Sequence, residues 1–133
     1  MDWRDVNGAW RATVDVAATN FEEGELKMEM VVRPGPRASE PTVLLMYAGQ
    51  TVRRVDVNGW HREGGVPRQE THVQGEPPPA HLEWLEAHPV FASVVQGSTP
   101  DGVALRQIFQ AAGAELKVDV HGVDWIDPPS GRP

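Results

Sequence analysis

The chain has 133 residues, 40% hydrophobic and 23% charged, which fits one globular domain and excludes an intrinsically disordered protein. It has no cysteine, which excludes disulfides, thiol catalysis and zinc–thiolate sites. The first residues lack the pattern of a signal peptide, and no apolar stretch approaches the roughly 20 residues that span a bilayer. We therefore expect a soluble, cytoplasmic protein without a membrane partner.

The net charge of −7 is unevenly distributed along the chain. Residues 26–75 hold seven of the twelve Lys and Arg residues but only five of the nineteen Asp and Glu residues. An acidic protein repels nucleic acid at long range. A local basic patch can still bind a short or single-stranded polyanion, with an affinity that falls as salt rises.

The first half of the chain shows the period-two alternation of half-buried strands. Strands are predicted over residues 10–16 and 26–33, joined by a hairpin link at 20–24. The continuous apolar run 43–47 suits a central strand covered on both faces. A fourth strand is predicted over 51–57.

The second half is predicted to begin with a loop over 59–70 and a short strand over 71–74. A stiff proline connector at 76–79 leads to a short helix from His81 to His88, which Pro89 would end.

The strongest helix prediction runs from Pro100 to Ala112. Thr99 is the predicted N-cap, and Gly113 the predicted left-handed C-terminal cap. Apolar residues in between recur at helical spacing. A last strand is predicted over 116–120.

This order of elements predicts an α+β domain over residues 1–126. Its core would be an antiparallel sheet of about five strands with two helices packed on one face. Residues 127–133 are rich in proline and glycine and are predicted to form a flexible C-terminal tail.

Polar side chains interrupt the fourth predicted strand. Arg54 and Asp56 share one face, where they can pair or line a cleft, whereas Arg53 shares the other face with two valines. A different interpretation is an edge strand whose charges prevent aggregation.

Two histidines follow this strand, His61 in the loop and His72 in the next strand. Imidazole titrates near neutral pH, so they could act as general base and acid, with Asp56 orienting one of them. The alternative is that both are ordinary surface residues.

The same segment could bind a phosphate. Arg54, together with Arg53 or Arg62, could hold it through bidentate hydrogen bonds, and Trp60 could stack on a base.

A metal-dependent hydrolase built on Asp56, His61 and His72 is a further hypothesis, because carboxylate and imidazole suit zinc, manganese or iron. Their spacing matches no metal signature, and we predict neither a metal nor a cofactor.

The run from Arg53 to Arg62, followed by Thr71-His72-Val73-Gln74, resembles small prokaryotic proteins with an Arg-x-Asp…His…His pattern, similar to the TumE-like toxins of toxin–antitoxin systems. The resemblance covers residues 43–112. It implies a toxin-like ribonuclease or a phosphate-binding protein with an RNA or phosphate ligand and an antitoxin-like protein partner. The residues at the polar positions of the pattern are Arg54, Asp56, His61 and His72.

The alternative function is a non-catalytic interaction protein, such as a phage-borne inhibitor or an accessory subunit. Its acidic flanks would bind a basic protein. A homodimer is also open, and the sequence does not decide whether the protein is an enzyme.

Overall fold

The structure is a computed structural model that describes residues 1–17, 22, 24–75 and 82–130. Its elements are β1 (Trp3–Val6), β2 (Ala9–Asp15), β3 (Leu26–Val32), a 3₁₀ turn (Gly35–Arg37), β4 (Thr42–Tyr47), β5 (Gln50–Asp56), β6 (Trp60–Glu63), β7 (Val66–Gln69), β8 (His72–Gly75), β9 (Glu83–Trp84), α1 (Pro89–Ala92) and α2 (Gly102–Glu115).

Seven of these strands form one antiparallel sheet in the order β1-β2-β3-β4-β5-β8-β9. Strands β6 and β7 form a separate hairpin that is inserted in the chain between β5 and β8. The predicted α+β class and antiparallel sheet are confirmed, but the sheet has seven strands rather than about five. The added edge strands β1 and β9 have four and two residues, too few for an alternation pattern to reveal them.

The hydrophobic core lies on one face of the sheet. Alternate residues of the central strands point to this face, and the buried stripe of α2 packs against them. The buried core residues are Val16, Leu26, Met28, Met30, Val43, Leu45, Val55, Val57, Val73, Leu85, Phe91, Val94, Leu105, Ile108, Phe109, Ala112 and Leu116. Both helices contribute to this one cluster, so they cover the same face of the sheet. The intervening residues of the strands point to the opposite face, which is the polar face.

Helix α2 begins and ends differently from the prediction. Its N-cap is Asp101 rather than Thr99, because Oδ1 of Asp101 accepts a hydrogen bond of 2.8 Å from the backbone N–H of Ala104. The helix continues through Gly113 to Glu115. A Cβ at Gly113 would come within 2.9 Å of Val120 Cγ1, so this glycine permits close packing rather than capping the helix.

The helix predicted over 81–88 is wrong. Glu83–Trp84 form β9, which pairs with β8, and Pro89 opens α1 instead of ending a helix. His88 caps α1, since its Nδ1 accepts a hydrogen bond from the N–H of Val90. Proline at the first helical position loses no intrahelical hydrogen bond. His81 and the connector 76–79 lie outside the described residues.

The segment predicted as a loop over 59–70 contains the β6–β7 hairpin. Its two-residue turn is Gly64-Gly65, and both residues have positive φ, as a tight hairpin requires. The strand predicted over 116–120 is reduced to a single bridge between Ala17 and Asp119. Val118 and Val120 pack against the core instead of pairing along the sheet. Within the described ranges, no helix is long and apolar enough to cross a membrane.

Residues 123–130 run back past the start of β1 and α2. Trp3 Nε1 donates a hydrogen bond of 2.7 Å to the carbonyl of Ile126, and the rings of Trp3 and Trp125 meet edge to face. Asp127 accepts a hydrogen bond from Trp125 Nε1, and its carboxylate lies against Gly102. Residues 127–133 are the segment predicted as a flexible tail. Of these, residues 127–130 follow this path, and residues 131–133 lie outside the described part.

Candidate functional site

Strand register aligns two rows of side chains across the polar face of the sheet. The first row, from one edge to the other, is Arg4, Arg11, Val31, Thr42, Asp56, His72 and Trp84. The second row is Thr13, Glu29, Leu44, Arg54 and Gln74. Residues facing each other on neighbouring strands are close enough to interact, so the register brings side chains distant in sequence into one cluster.

Asp56 lies at the centre of the first row, and its side chain is 14% exposed. Its Oδ1 accepts a hydrogen bond of 3.0 Å from Thr42 Oγ1. Its Oδ2 lies 2.8 Å from Arg54 Nε, in an ion pair without the alignment of a hydrogen bond, and 3.5 Å from His72 Nε2. A largely buried carboxylate is thus surrounded by one hydroxyl and two nitrogen groups.

These neighbours reverse the effect of burial on Asp56. Burial alone raises the pKa of a carboxyl group. The nearby His72 ring, the charge of Arg54 and the hydroxyl of Thr42 outweigh burial, and the pKa of Asp56 is lowered from its ordinary value of 3.8. Asp56 is therefore ionised at neutral pH.

His72 is 1% exposed, and its ring is fixed from several sides. Nδ1 lies 3.0 Å from the backbone carbonyl of Glu70, an acceptor only, so Nδ1 carries the proton of that hydrogen bond. Nε2 faces Asp56 and makes no hydrogen bond among the described residues. The ring of Trp84 packs against His72 at 5.1 Å between centroids.

Gln74 holds the other side of Arg54. With its amide turned so that the oxygen faces the guanidinium, this oxygen accepts from Arg54 Nε at 2.9 Å and from Nη2 at 3.0 Å. Gln74 is 1% exposed. Arg54 is thus fixed between a carboxylate and an amide oxygen.

The β6–β7 hairpin folds over the β8–β9 end of this polar face. The ring of His61 lies 5.4 Å from His72 and 6.2 Å from Trp84, and the guanidinium of Arg68 lies 4.0 Å above the Trp84 ring. Arg68 also pairs with Glu70 and, at 3.2 Å, with Glu86. These contacts fix the position of the hairpin next to the first row.

A pocket of about 290 Å³ lies beside this hairpin, over the middle of the polar face. Val31, Leu44 and Val57 supply its apolar surface, and Gly59 and Trp60 lie where the chain enters the hairpin. Its polar lining residues are Arg11, Arg33, Arg37, Glu40, Thr42, Arg54 and Asp56. Among the described residues that line the pocket, four guanidinium groups therefore face two carboxylates, in a protein whose net charge is −7. Counting Glu29, which pairs with Arg11 at 2.6 Å, still leaves positive charge in excess.

Arg33 carries much of this excess. Its Nη1 donates to the carbonyl of Glu40 at 2.7 Å and to Thr42 Oγ1 at 3.1 Å, and neither acceptor is charged. Burial lowers the pKa of Arg33, and the charge of Arg37 lowers it further, while Asp56 and Glu40 act in the opposite direction. The surroundings thus disfavour the charged form of Arg33, although arginine stays protonated at neutral pH. A nearby anion would compensate for this unfavourable environment.

The Nε of Arg11 is a buried donor that makes no hydrogen bond among the described residues. Leaving a buried donor unpaired costs about 1–3 kcal/mol.

The structure brings together only some of the predicted site residues. Arg54, Asp56 and His72 form one contact cluster, His61 lies next to it, and Trp60 lines the pocket. The described residues that line the pocket do not include His61 or His72.

The remaining two predicted residues lie elsewhere. Arg53 is on the core-side face, opposite Leu45 and Gly75, and its half-buried position follows from the alternation of β5. Arg62 is exposed and donates a hydrogen bond of 3.0 Å to the carbonyl of Gly65 within the hairpin.

Sequence reasoning missed the pocket arginines Arg11, Arg33 and Arg37. Arg11 alternates with the apolar residues of β2, which indicates that its side chain points to the polar face. Only the pairing of the strands shows that Arg54 lies on the same face. Arg33 and Arg37 flank a proline-rich turn, where no periodicity indicates direction.

Within the described ranges, no group of three or more His, Cys, Asp or Glu side chains is arranged so that it could hold a metal ion. Asp56, His61 and His72 are therefore not such a group.

Comparison of the chain with protein families, with curated proteins and with solved structures finds no match.

Proposed function

We propose that this protein binds a phosphate-type anion in the pocket of the polar sheet face. The observation that carries the proposal is the excess of guanidinium groups among the described lining residues, above all Arg33, which is half-buried and whose hydrogen bonds to described residues go to uncharged acceptors. Arginine matches the geometry of phosphate oxygens through its planar set of donors. The phosphate-binding function implied by the resemblance to TumE-like toxins fits this pocket.

Binding rather than catalysis is the function that the side chains support. A general acid or base must lie within hydrogen-bond reach of the reacting group. His72 is 1% exposed, with Nδ1 held by Glu70 and Nε2 facing Asp56. We assign His72 and Asp56 the role of positioning Arg54, and we propose no chemical step.

Calorimetric titration with inorganic phosphate and pyrophosphate tests the proposal. We expect saturable binding that weakens as salt rises, because the interaction is between opposite charges. Arg33→Gln should lower the affinity about tenfold, the effect of losing one hydrogen bond to a charged group. Arg37→Gln should lower it less, because this side chain is 63% exposed.

Arg106→Gln is the matched control, because Arg106 is exposed on α2, the helix on the other side of the sheet. It removes the same charge without touching the pocket. Absence of binding to the wild type at low salt, or equal losses in Arg33→Gln and Arg106→Gln, would refute the proposed site.

A further inference from the structure

Trp60 is the first residue of the β6–β7 hairpin, and its side chain is 63% exposed. It lines the same pocket as Arg33, Arg37 and Arg54. The other tryptophans contrast with it: Trp3 and Trp125 pack against each other, Trp84 is covered by Arg68 and His61, and Trp10 is half-buried. Leaving a large aromatic side chain in water forgoes the stabilisation that its burial would provide.

The backbone beneath Trp60 is held firmly, although its ring is exposed. Gly59 just before it is closely packed, since a Cβ there would lie 2.6 Å from Asp56 Cβ and 3.2 Å from His72 Cε1. Trp60 pairs with Gln69 across the hairpin, and the Gln69 carbonyl accepts a hydrogen bond from Gln96 Nε2. A rigid strand thus presents an indole at the rim of a pocket rich in arginine.

From this arrangement we infer that the anion bound in the pocket belongs to a nucleotide whose base stacks on Trp60. The inference rests on the proposed function, because the arginines would hold the phosphate and Trp60 the base. Stacking on an aromatic ring accepts any base, since each base has a π face. The volume of about 290 Å³ lies just below the roughly 300–1,000 Å³ of ligand pockets, which suits a ligand no larger than a single nucleotide unit.

Calorimetry with AMP, UMP and ribose 5-phosphate separates the two parts of the ligand. The nucleotides should bind about tenfold more tightly than ribose 5-phosphate, which carries the phosphate and sugar without a base. Trp60→Ala should reduce the affinity for AMP to that for ribose 5-phosphate, and Trp60→Phe, which keeps a ring, should retain part of the gain. Val66→Ala is the control, because Val66 is 64% exposed on the same hairpin but does not line the pocket.

The outcomes distinguish this inference from the proposed function. If AMP, UMP and ribose 5-phosphate bind the wild type equally, stacking is refuted and the phosphate site remains. If none of them binds, the proposed function fails as well. A single-stranded tetraribonucleotide that binds more tightly than UMP, and loses this gain in Trp60→Ala, would identify the nucleotide as a unit of an RNA strand. A tetraribonucleotide no tighter than UMP would identify a free nucleotide.

Discussion

Asp56 and His72 face each other on neighbouring strands, with Oδ2 and Nε2 separated by 3.5 Å and both side chains largely withdrawn from water. Thr42 faces Asp56 from the opposite strand. This short row fixes the carboxylate that holds Arg54 at the pocket. The site therefore depends on the register of three strands more than on any local motif.

The pH dependence of stability should report the ionised state of Asp56. A carboxyl group whose pKa is lowered by folding stabilises the folded state above its ordinary value of 3.8, and this contribution is lost as the pH falls below that value. Asp56→Asn should cost about 1–3 kcal/mol at pH 7, measured by urea unfolding. The difference from wild type should shrink on acidification. Asp124→Asn, at an exposed position, should change neither stability nor its pH profile; an equally large effect there would contradict the assignment.

Energetic coupling between Asp56 and His72 is a second expectation. In a double-mutant cycle with Asp56→Asn and His72→Gln, the coupling energy should be about 0.5–3 kcal/mol, the range for residues in contact. A cycle pairing Asp56→Asn with Gln110→Ala on α2 should show additivity, because Gln110 is exposed on the far side of the sheet. Additive effects of Asp56→Asn and His72→Gln would show that the two groups do not interact.

The turn between β5 and β6 depends on Asn58, which has φ 49 and is 7% exposed. Its Nδ2 donates to the carbonyls of Ser39 and Val94, each at 3.0 Å. Asn58→Gly keeps the backbone geometry but leaves both carbonyls without this partner, and we expect a loss of about 1–3 kcal/mol in unfolding free energy.

Asn58→Ala should cost about 1 kcal/mol more than Asn58→Gly, because alanine also resists the left-handed conformation. Asn7→Gly is the control, since Asn7 has φ 53 in an exposed turn. If the Asn58 and Asn7 glycine variants were equally stable, the two side-chain hydrogen bonds would contribute nothing.

Gly59 should tolerate no side chain, because a Cβ would lie 2.6 Å from Asp56 Cβ. Gly59→Ala should lower stability by about 1–3 kcal/mol, the cost of overpacking, and weaken phosphate binding by displacing Asp56. Gly122→Ala introduces the same methyl group where nothing lies within 4 Å and should be within about 0.5 kcal/mol of wild type. An unchanged thermal midpoint for Gly59→Ala would mean that this contact is not tight.

Much of the sheet could be predicted from alternation. β2 and β3 carry apolar residues at every second position, and the apolar run of β4 correctly indicated a central strand. β9 could not be predicted, because its two residues are recruited by pairing with β8 and carry no period of their own. The β6–β7 hairpin could not be predicted, because its strands do not carry apolar residues at alternate positions that would face the core.

The candidate site was predictable only in part. Alternation within β5 placed Arg54 and Asp56 on one face, and this was confirmed. The contribution of Thr42 depends on the register between β4 and β5, which includes an irregularity at Leu45 and Met46. No single-strand pattern contains that information.

The proposed anion site on the polar sheet face can be examined residue by residue by NMR of ¹⁵N-labelled protein titrated with inorganic phosphate. We expect saturable shifts in the Nε–H signals of Arg11 and Arg33 and in the backbone amides of residues 31–44 and 54–60, with Arg106 unchanged. Shifts spread evenly over exposed basic residues such as Arg106 and Lys117, or no shifts near Arg33, would contradict it.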